Sequence, residues 1–188
     1  MGHPRRLKKK YSKPRHPWQK DRIEVENELK KKYGFRTKKE IWKMNSFLSK
    51  MKDLSKKLIA AHSSQADIEK VHLIKKASSY GLVKPNAKIE DVLAITLEDV
   101  LNRRLQTIIV KKKFARSMLQ ARQFITHGHV MVKDKTINSP SYLVKLDEES
   151  RILFRVSSAF NSEEHPARKL ENVIVNVPKD EKPKAVSA

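Results

Sequence analysis

Four polar side chains that can donate hydrogen bonds recur along one predicted helix. Arg116, Gln120, Gln123 and His127 are separated by four, three and four residues, the spacing of neighbours on one helical face. Guanidinium, amide and imidazole groups can all donate to phosphate or 2′-hydroxyl oxygens. Because two of the four are uncharged amides, this stripe predicts a face that recognises the shape of a polyanion as well as its charge.

The helix that carries the stripe has clear signals at both ends. Ser117 and Gln120 form a predicted capping box, the third along the chain, and Gly128 follows as a stop. The side opposite the polar stripe is predicted to be buried, and its apolar residues are Met118, Ala121, Phe124 and Ile125. The apolar side therefore supplies the packing, and the polar stripe is left for another purpose.

The elements around this helix predict a small α+β unit at residues 96–158. A capping box at Thr96–Asp99 opens a preceding helix that ends at three lysines. Its apolar stripe is expected to be Leu97, Leu101, Leu105 and Ile108, and the side chains pointing away from it are expected to be Arg103, Gln106 and Thr107. Alternating residues then predict strands at 130–132, 142–146 and 152–156, with a turn at Asp134 and Lys135. Two helices are expected to pack on a small antiparallel sheet.

Residues 22–95 are predicted to form a helical domain. Helices are expected at 22–33, from a capping box at Thr37–Glu40 to about His62, and at 66–79. The apolar stripe of the second helix is expected to be Ile41, Met44, Leu48, Met51 and Leu58. The residues expected to point inward from the third helix are Ile68, Val71 and Ile74, and a short helical turn is expected near Ile89–Leu93. The fold class is thus α+β, a helical N-terminal domain plus a small two-helix/antiparallel-sheet domain, with basic or polar tails at 1–21 and 159–188. Within the last tail only Val173–Val177 could form a strand.

The charge of the chain points to a polyanionic partner. Its 188 residues include 42 Lys or Arg and 21 Asp or Glu, a net charge of +21, and a polyanion would relieve the resulting repulsion. We find no apolar run near the roughly 20 residues of a membrane span and no signal peptide. The obvious polyanions are nucleic acid and an anionic membrane. We expect an intracellular, soluble protein, and we favour nucleic acid as its partner, with no membrane partner.

The N-terminal arm is predicted to order on RNA. Residues 1–20 contain eight Lys or Arg, three prolines and no acid, a composition that cannot bury enough surface to fold alone. The segment is either a disordered solubilising tail or an arm that lies along phosphates and orders on binding, and the charge of the rest of the chain favours the arm. Tyr11 and Trp18 could stack on bases, although for Trp18 we favour a tether that docks the tail on the core.

The motifs also resemble a known family. The run LNRRLQTIIVKKKFARSMLQARQFITHGHVMV and the later PSYLV look like the small RNA-binding domain of the small-subunit ribosomal protein four family. The N-terminal HPWQKDRIEVENELKKKYGFRTKKEIWK resembles the archaeal and eukaryotic form, and SEEHPARKL looks archaeal in type. One departure is Lys133-Asp134-Lys135, where many relatives have an Asn-Gly turn. The similarity covers roughly residues 10–165.

The resemblance implies a primary rRNA-binding protein of the cytoplasmic small ribosomal subunit. The family binds 16S-type rRNA at a multi-helix junction in the 5′ domain early in assembly, lies beside ribosomal proteins five and three, and influences decoding accuracy. Some bacterial relatives carry a cysteine zinc site, which cannot carry over because this chain has no cysteine. The residues predicted to bind rRNA, from the stripe, the preceding helix and the arm, are Arg5, Arg6, Lys8, Lys9, Lys10, Arg103, Arg104, Gln106, Lys111, Lys112, Lys113, Arg116, Ser117, Gln120, Arg122, Gln123, His127 and His129.

Three other functions agree less well with the sequence. The same small domain is appended to RNA-modifying enzymes and tRNA synthetases, but we find no phosphate loop, nucleophile elbow or paired carboxylates, so no catalytic residue or cofactor is predicted. His127 and His129 lack further metal ligands at suitable spacing, so we predict no metal site. A DNA-binding helix-turn-helix protein is opposed by the spread of basic charge over the whole chain. A stand-alone structured-RNA-binding protein is opposed by the extra helical domain.

Overall fold

The computed structural model describes residues 9–162 together with 165 and 166. The helices are α1 (Lys20–Lys32), α2 (Lys38–Ala60), α3 (Ser64–Ser79), α4 (Asp91–Ala94), α5 (Leu97–Asn102), α6 (Leu105–Lys111), α7 (Met118–Thr126) and α8 (Leu146–Glu149). The strands are β1 (Val130–Val132), β2 (Lys135–Thr136) and β3 (Ile152–Phe154). The predicted α+β class is confirmed. None of the helices in these ranges has the length and apolar character needed to cross a membrane. The strand expected at Val173–Val177 lies outside the described residues.

The long helix α2 is the centre of the N-terminal core. Its buried residues follow the predicted spacing, and they are Ile41, Met44, Leu48, Met51 and Leu58. Helices α1, α3, α4 and α5 all contact it. Val100 and Leu101 of α5 are fully buried in the same core as α2. Helix α5 therefore packs with the helical part, although the predicted boundary after residue 95 assigned it to the second domain.

Helix α3 buries a different side from the predicted one. Ile68 and Val71 are about half exposed, and Ile74 is half-buried. The buried residues are instead Ala66, Leu73 and Ala77. Both stripes have helical spacing, but two alanines let α3 approach α2 closely, so packing between the helices selects the stripe with the smaller side chains.

The single helix predicted from Leu97 to the three lysines is two helices with a break at Arg103 and Arg104. The backbone leaves the helix to pair with a distant segment: the Leu105 amide donates to the Tyr142 carbonyl at 2.8 Å, and the Val144 amide donates to the Arg103 carbonyl at 3.0 Å. The strand predicted at 142–146 is therefore wrong. That segment pairs with the helix break rather than with the sheet, and its last residue begins α8.

The sheet has the order β2-β1-β3, with both pairings antiparallel. Its buried side chains alternate as predicted, and they are Val130, Val132, Ile152 and Phe154. The hairpin loop between β1 and β2 is formed by Lys133 and Asp134, one residue earlier than the predicted turn, because Lys135 pairs with Val132. Lys133 has φ +56°, whereas Asp134 does not have a positive φ, so the turn differs from the type that an Asn-Gly pair forms.

The described part of the N-terminal arm lies against α2. The Tyr11 ring packs 6.1 Å from the Trp42 ring, and the Ser12 amide donates to Ser46 Oγ at 3.0 Å. Trp18 is 90% exposed, so the prediction that it tethers the arm is wrong. The tether is Tyr11, which reaches an aromatic partner at the start of α2.

Candidate nucleic-acid interface

Helix α7 has the two faces that its sequence predicts. Ser117 Oγ accepts the Gln120 amide hydrogen at 3.2 Å and caps the helix. Its buried residues are Ala121, Phe124 and Ile125, with Met118 half-buried. On the other side Arg116, Gln123 and His127 are exposed and Gln120 is half-buried. The core is complete without the polar stripe.

Two members of the stripe are tied to each other. Gln120 Oε1 accepts from the Arg116 amide at 2.7 Å, so the predicted third capping box forms only in half: the glutamine reaches the residue before the cap rather than the cap itself. The Arg116 guanidinium donates to the Pro166 carbonyl. These contacts fix the beginning of the stripe without burying it.

Lysines at the end of α6 extend the polar face. Lys111 and Lys113 are exposed, and within the described part of the chain neither forms an ion pair. Lys112 is half-buried and donates to the Glu149 carbonyl. No Asp or Glu occurs between Asp99 and Asp134, so positive charge in this segment is balanced only by acids from elsewhere in the chain.

Two residues predicted to face RNA are buried instead. Arg104 and Gln106 have no exposed surface, so the prediction that they lie on the outer face is wrong. The Gln106 amide donates to the Met118 carbonyl at 2.7 Å and to the Gly34 carbonyl at 3.4 Å. A Cβ at Gly34, whose φ is +60°, would lie 2.9 Å from the Met118 side chain. Gln106 therefore joins the loop after α1 to the start of α7.

Arg104 is the most deeply buried charge in the described residues. Its guanidinium lies 4.2 Å from the centroid of the Phe35 ring, and Nη2 donates to Glu40 Oε2 at 3.3 Å. Burial lowers the pKa of Arg104 to about 10, an effect that Glu40 opposes and that Arg122 reinforces. The group is still protonated at neutral pH, so a full positive charge lies at the contact between the two parts of the fold.

Glu40 binds this arginine and a second one together. Arg122 of α7 donates to both oxygens of Glu40, at 3.0 and 3.1 Å, in the bidentate geometry that guanidinium favours. The Thr37 side chain does not cap α2, so the predicted capping box at Thr37–Glu40 is wrong. The Glu40 carboxylate binds the two arginines instead. Sequence reasoning missed this role, since Glu40 precedes Arg104 by 64 residues and Arg122 by 82.

Arg103 is also committed to an ion pair. Its guanidinium donates to Glu149 Oε2 at 2.8 Å and to the Val144 carbonyl at 3.2 Å. Its side chain is 15% exposed. Like Arg122, which is 23% exposed, it lies at an internal contact rather than on the open face.

His127 and His129 continue the stripe past the end of α7. Their rings are parallel to within 4°, with centroids 6.2 Å apart. His129 Nδ1 shares a hydrogen bond with Ser158 Oγ at 3.0 Å. Desolvation by burial, and then the neighbouring His127, lower the pKa of His129. The neutral form of His129 is therefore the one that the fold favours.

The basic arm contributes Lys9 and Lys10, both exposed, while Arg5, Arg6 and Lys8 lie outside the described residues. Lys9 Nζ lies 4.8 Å from the centroid of the Tyr11 ring. Among the residues that the structure describes, no group of three or more His, Cys, Asp or Glu is arranged to hold a metal ion.

Comparison with known proteins finds a family match for one domain and relatives for most of the chain. Residues 103–150 match the S4 domain family. The chain is 48% identical over 169 residues to the small ribosomal subunit protein uS4 of Methanococcus aeolicus, covering 89% of this chain and 96% of the relative. The proteins of the same name from Nanoarchaeum equitans and Picrophilus torridus are 44% and 42% identical, covering 88% and 89% of this chain and 93% of each relative. The chain is therefore a member of the uS4 family.

Proposed function

We propose that this chain is a structural constituent of the cytoplasmic small ribosomal subunit and that it binds rRNA directly through the exposed side of α7. Relatives that match nearly its whole length are named as small ribosomal subunit proteins, and the S4 domain covers α6, α7 and the first hairpin. The family is structural, so the chain is not an enzyme, and no cofactor enters the proposal.

The observation that carries the proposal is that α7 has one buried, apolar side and one exposed, polar side. Ala121, Phe124 and Ile125 supply its contribution to the core, while exposed Gln123 and His127 contribute nothing to that packing. Exposed polar residues without a structural task, in a segment free of acids, suit the phosphates and 2′-hydroxyls of folded RNA.

Different residues have different tasks in the proposed interface. The charged groups Lys111, Lys113 and Arg116 contact phosphates, and Lys9, Lys10 and the rest of the arm follow the backbone. Gln120, Gln123 and His127 contact 2′-hydroxyls or base edges. Four residues are removed from the set of direct contacts because they hold the fold: Arg103, Arg104, Gln106 and Arg122. Of the remaining predicted residues, Ser117 caps α7, Lys112 joins α6 to Glu149, and His129 borders the stripe.

The finer assignments are taken from the family resemblance. They are binding to 16S-type rRNA at a multi-helix junction in the 5′ domain, a role in nucleating assembly of the subunit body, contact with ribosomal proteins five and three, and an influence on translational accuracy. A direct test of the neighbours is crosslinking of the chain within intact archaeal small subunits, in which neither protein would be recovered if the assignment is wrong.

Salt dependence tests the interface itself. With about six to ten phosphate contacts, the affinity for a transcript of the 5′ domain of archaeal 16S rRNA should fall with a log–log slope of roughly −4 to −9. Lys111→Ala with Lys113→Ala should make that slope shallower by about 1.5. The matched pair Lys84→Ala with Lys88→Ala removes the same charge from the exposed loop before α4 and should leave the slope unchanged. Equal effects of the two pairs would show that the charge acts diffusely and that α6 and α7 are not the interface.

A second variant addresses the stripe. Arg116→Glu with Gln120→Ala should cost on the order of 2 kcal/mol of RNA affinity, from a lost charge-assisted contact and an introduced repulsion. It should change the free energy of unfolding by about 1 kcal/mol or less, because neither side chain belongs to the core and the main loss is the hydrogen bond from the Arg116 amide to Gln120. If this variant unfolds early, or binds like the parent, the two faces of α7 have been assigned the wrong way round.

A further inference from the structure

A cleft of about 270 Å³ opens beside the exposed side of α7. It lies where the end of α7, the start of β1 and the short 3-10 helix Ala159–Asn161 meet. The residues around it that matter here are Gln120, Gln123, His127, His129, Phe160 and His165. Phe160 and His165 belong to the stretch after residue 158 that the sequence assigned to a polar tail, so the cleft joins the predicted interface to a part of the chain that was expected to lie apart from it.

The wall of the cleft is aromatic and is held in place by the core. The Phe160 ring lies 4.5 Å from Phe124, 4.8 Å from His129 and 4.7 Å from His165, measured between ring centroids. Phe124 is 3% exposed and anchored in the core, and the bond from His129 to Ser158 Oγ fixes the imidazole. The aromatic surface is therefore set before any ligand arrives.

The rim of the cleft is polar and open. Gln123 and His127 are exposed and stand on the same helical face, four residues apart. An amide offers both a donor and an acceptor, as does a neutral imidazole. These are the groups that read the edge of a base, whereas a site built only for phosphate would be lined by Lys or Arg.

We propose that this cleft binds one unstacked nucleobase of the rRNA, with its face against one aromatic ring of the wall and its edge toward Gln123. Single-stranded loops and bulges are recognised in this way, because an exposed base can leave its helix and stack on Phe or His. The inference deepens the proposed function and rests on it. It assigns one contact of this face to an unpaired position in the RNA, beside the contacts that the face makes to phosphates and 2′-hydroxyls.

The test compares three variants against the 5′-domain transcript at pH 8, where an ordinary histidine is neutral. Gln123→Ala with His127→Ala removes the rim of the cleft. Lys111→Ala with Lys113→Ala removes charge outside it. Thr126→Ala, on an exposed residue of the same helix that does not line the cleft, is the matched control. Thermal melting of each variant checks that the fold is intact.

The rim variant should lose about 10- to 100-fold in affinity, the loss expected for removing two hydrogen-bonding side chains from a base edge, with an unchanged salt slope. Thr126→Ala should bind like the parent. Transcripts with single abasic substitutions should weaken binding of the parent at one unpaired position, and the rim variant should lose nothing further there, because base and cleft form one interaction.

Two outcomes overturn the inference alone, and a third also overturns the proposed function on which it rests. If the rim variant binds like the parent while the lysine variant is weakened, the RNA uses this face but the cleft takes no base. If the rim variant binds more weakly but abasic substitutions weaken its binding as much as they weaken binding of the parent, the rim contacts the RNA backbone rather than a base. If neither variant differs from the parent, the proposed function of α7 is itself wrong.

Discussion

Replacing Glu40 with glutamine tests how the two parts of the fold are joined. Its carboxylate binds Arg104, which has no exposed surface, and Arg122, which is 23% exposed. Glutamine keeps the shape but leaves the Arg104 charge without a counter-ion in a site where two of its nitrogens, Nε and Nη1, already lack a hydrogen-bond partner among the described residues. Removing one partner of a buried ion pair typically costs about 3–5 kcal/mol. The more exposed pair with Arg122 adds no more than about 1 kcal/mol, so Arg104 dominates.

The assay is denaturant unfolding followed by circular dichroism. Glu98→Gln is the matched control, because it breaks the pair with Lys32 in which both side chains are more than half exposed, and it should have no measurable effect. A double variant, Glu40→Gln with Arg104→Met, should be more stable than Glu40→Gln alone, since it removes the uncompensated charge. The reasoning fails if Glu40→Gln is no more harmful than Glu98→Gln, or if the double variant is the least stable of the set.

Three further substitutions address the core, the backbone and the pH dependence. Phe124→Ala should lower the free energy of unfolding by about 3–5 kcal/mol, because the ring is buried, and thermal melting measures this change. Below the melting temperature, RNA affinity should fall only as far as the loss of Phe124 disturbs the neighbouring Phe160 ring of the cleft. Lys113, with φ +60°, should gain about 1 kcal/mol of stability as glycine, whereas Lys111→Gly within α6 should lose about 1 kcal/mol; opposite signs in the same melting assay are required. Burial and the neighbouring His127 lower the pKa of His129, so its contribution to stability is complete above the ordinary histidine pKa and is lost as the pH falls through about 6.5. His129→Gln should therefore reduce the fall in the free energy of unfolding between pH 7.5 and 5. An unchanged fall would show that other groups cause it.

The two faces of α7 could be predicted because every determinant is local. The cap at Ser117, the spacing of Ala121 and Ile125 and the stop at Gly128 all lie within one short segment, and their interactions depend little on the rest of the chain. The same reasoning predicted the buried side of α2. Periodicity is informative where a single apolar stripe is present and its residues are large.

The same periodicity failed where tertiary contacts choose between local options. The break at Arg103 and Arg104 interrupts a stripe that continues in register on either side of it, so nothing local marks it. The break exists because the backbone there pairs with residues 142–144 and because a guanidinium is buried beside Glu40. In α3 the failure is different: Ile68 is more hydrophobic than Ala77, yet the smaller residue permits the closer approach to α2 and is the one that is buried.

Three arginines and two lysines of the predicted interface have separate uses, and that separation explains why a basic sequence overpredicts its own interface. Arg103, Arg104 and Arg122 each bind a carboxylate from a distant segment, where a planar group with several donors satisfies a buried acceptor better than an ammonium can. Lys111 and Lys113 lie on the surface, where a strongly hydrated point charge on a flexible side chain can contact phosphates without a fixed geometry. Counting basic residues gives the strength of the attraction to RNA. Only the acids that reach them from elsewhere decide which ones hold the protein together and which remain for the nucleic acid.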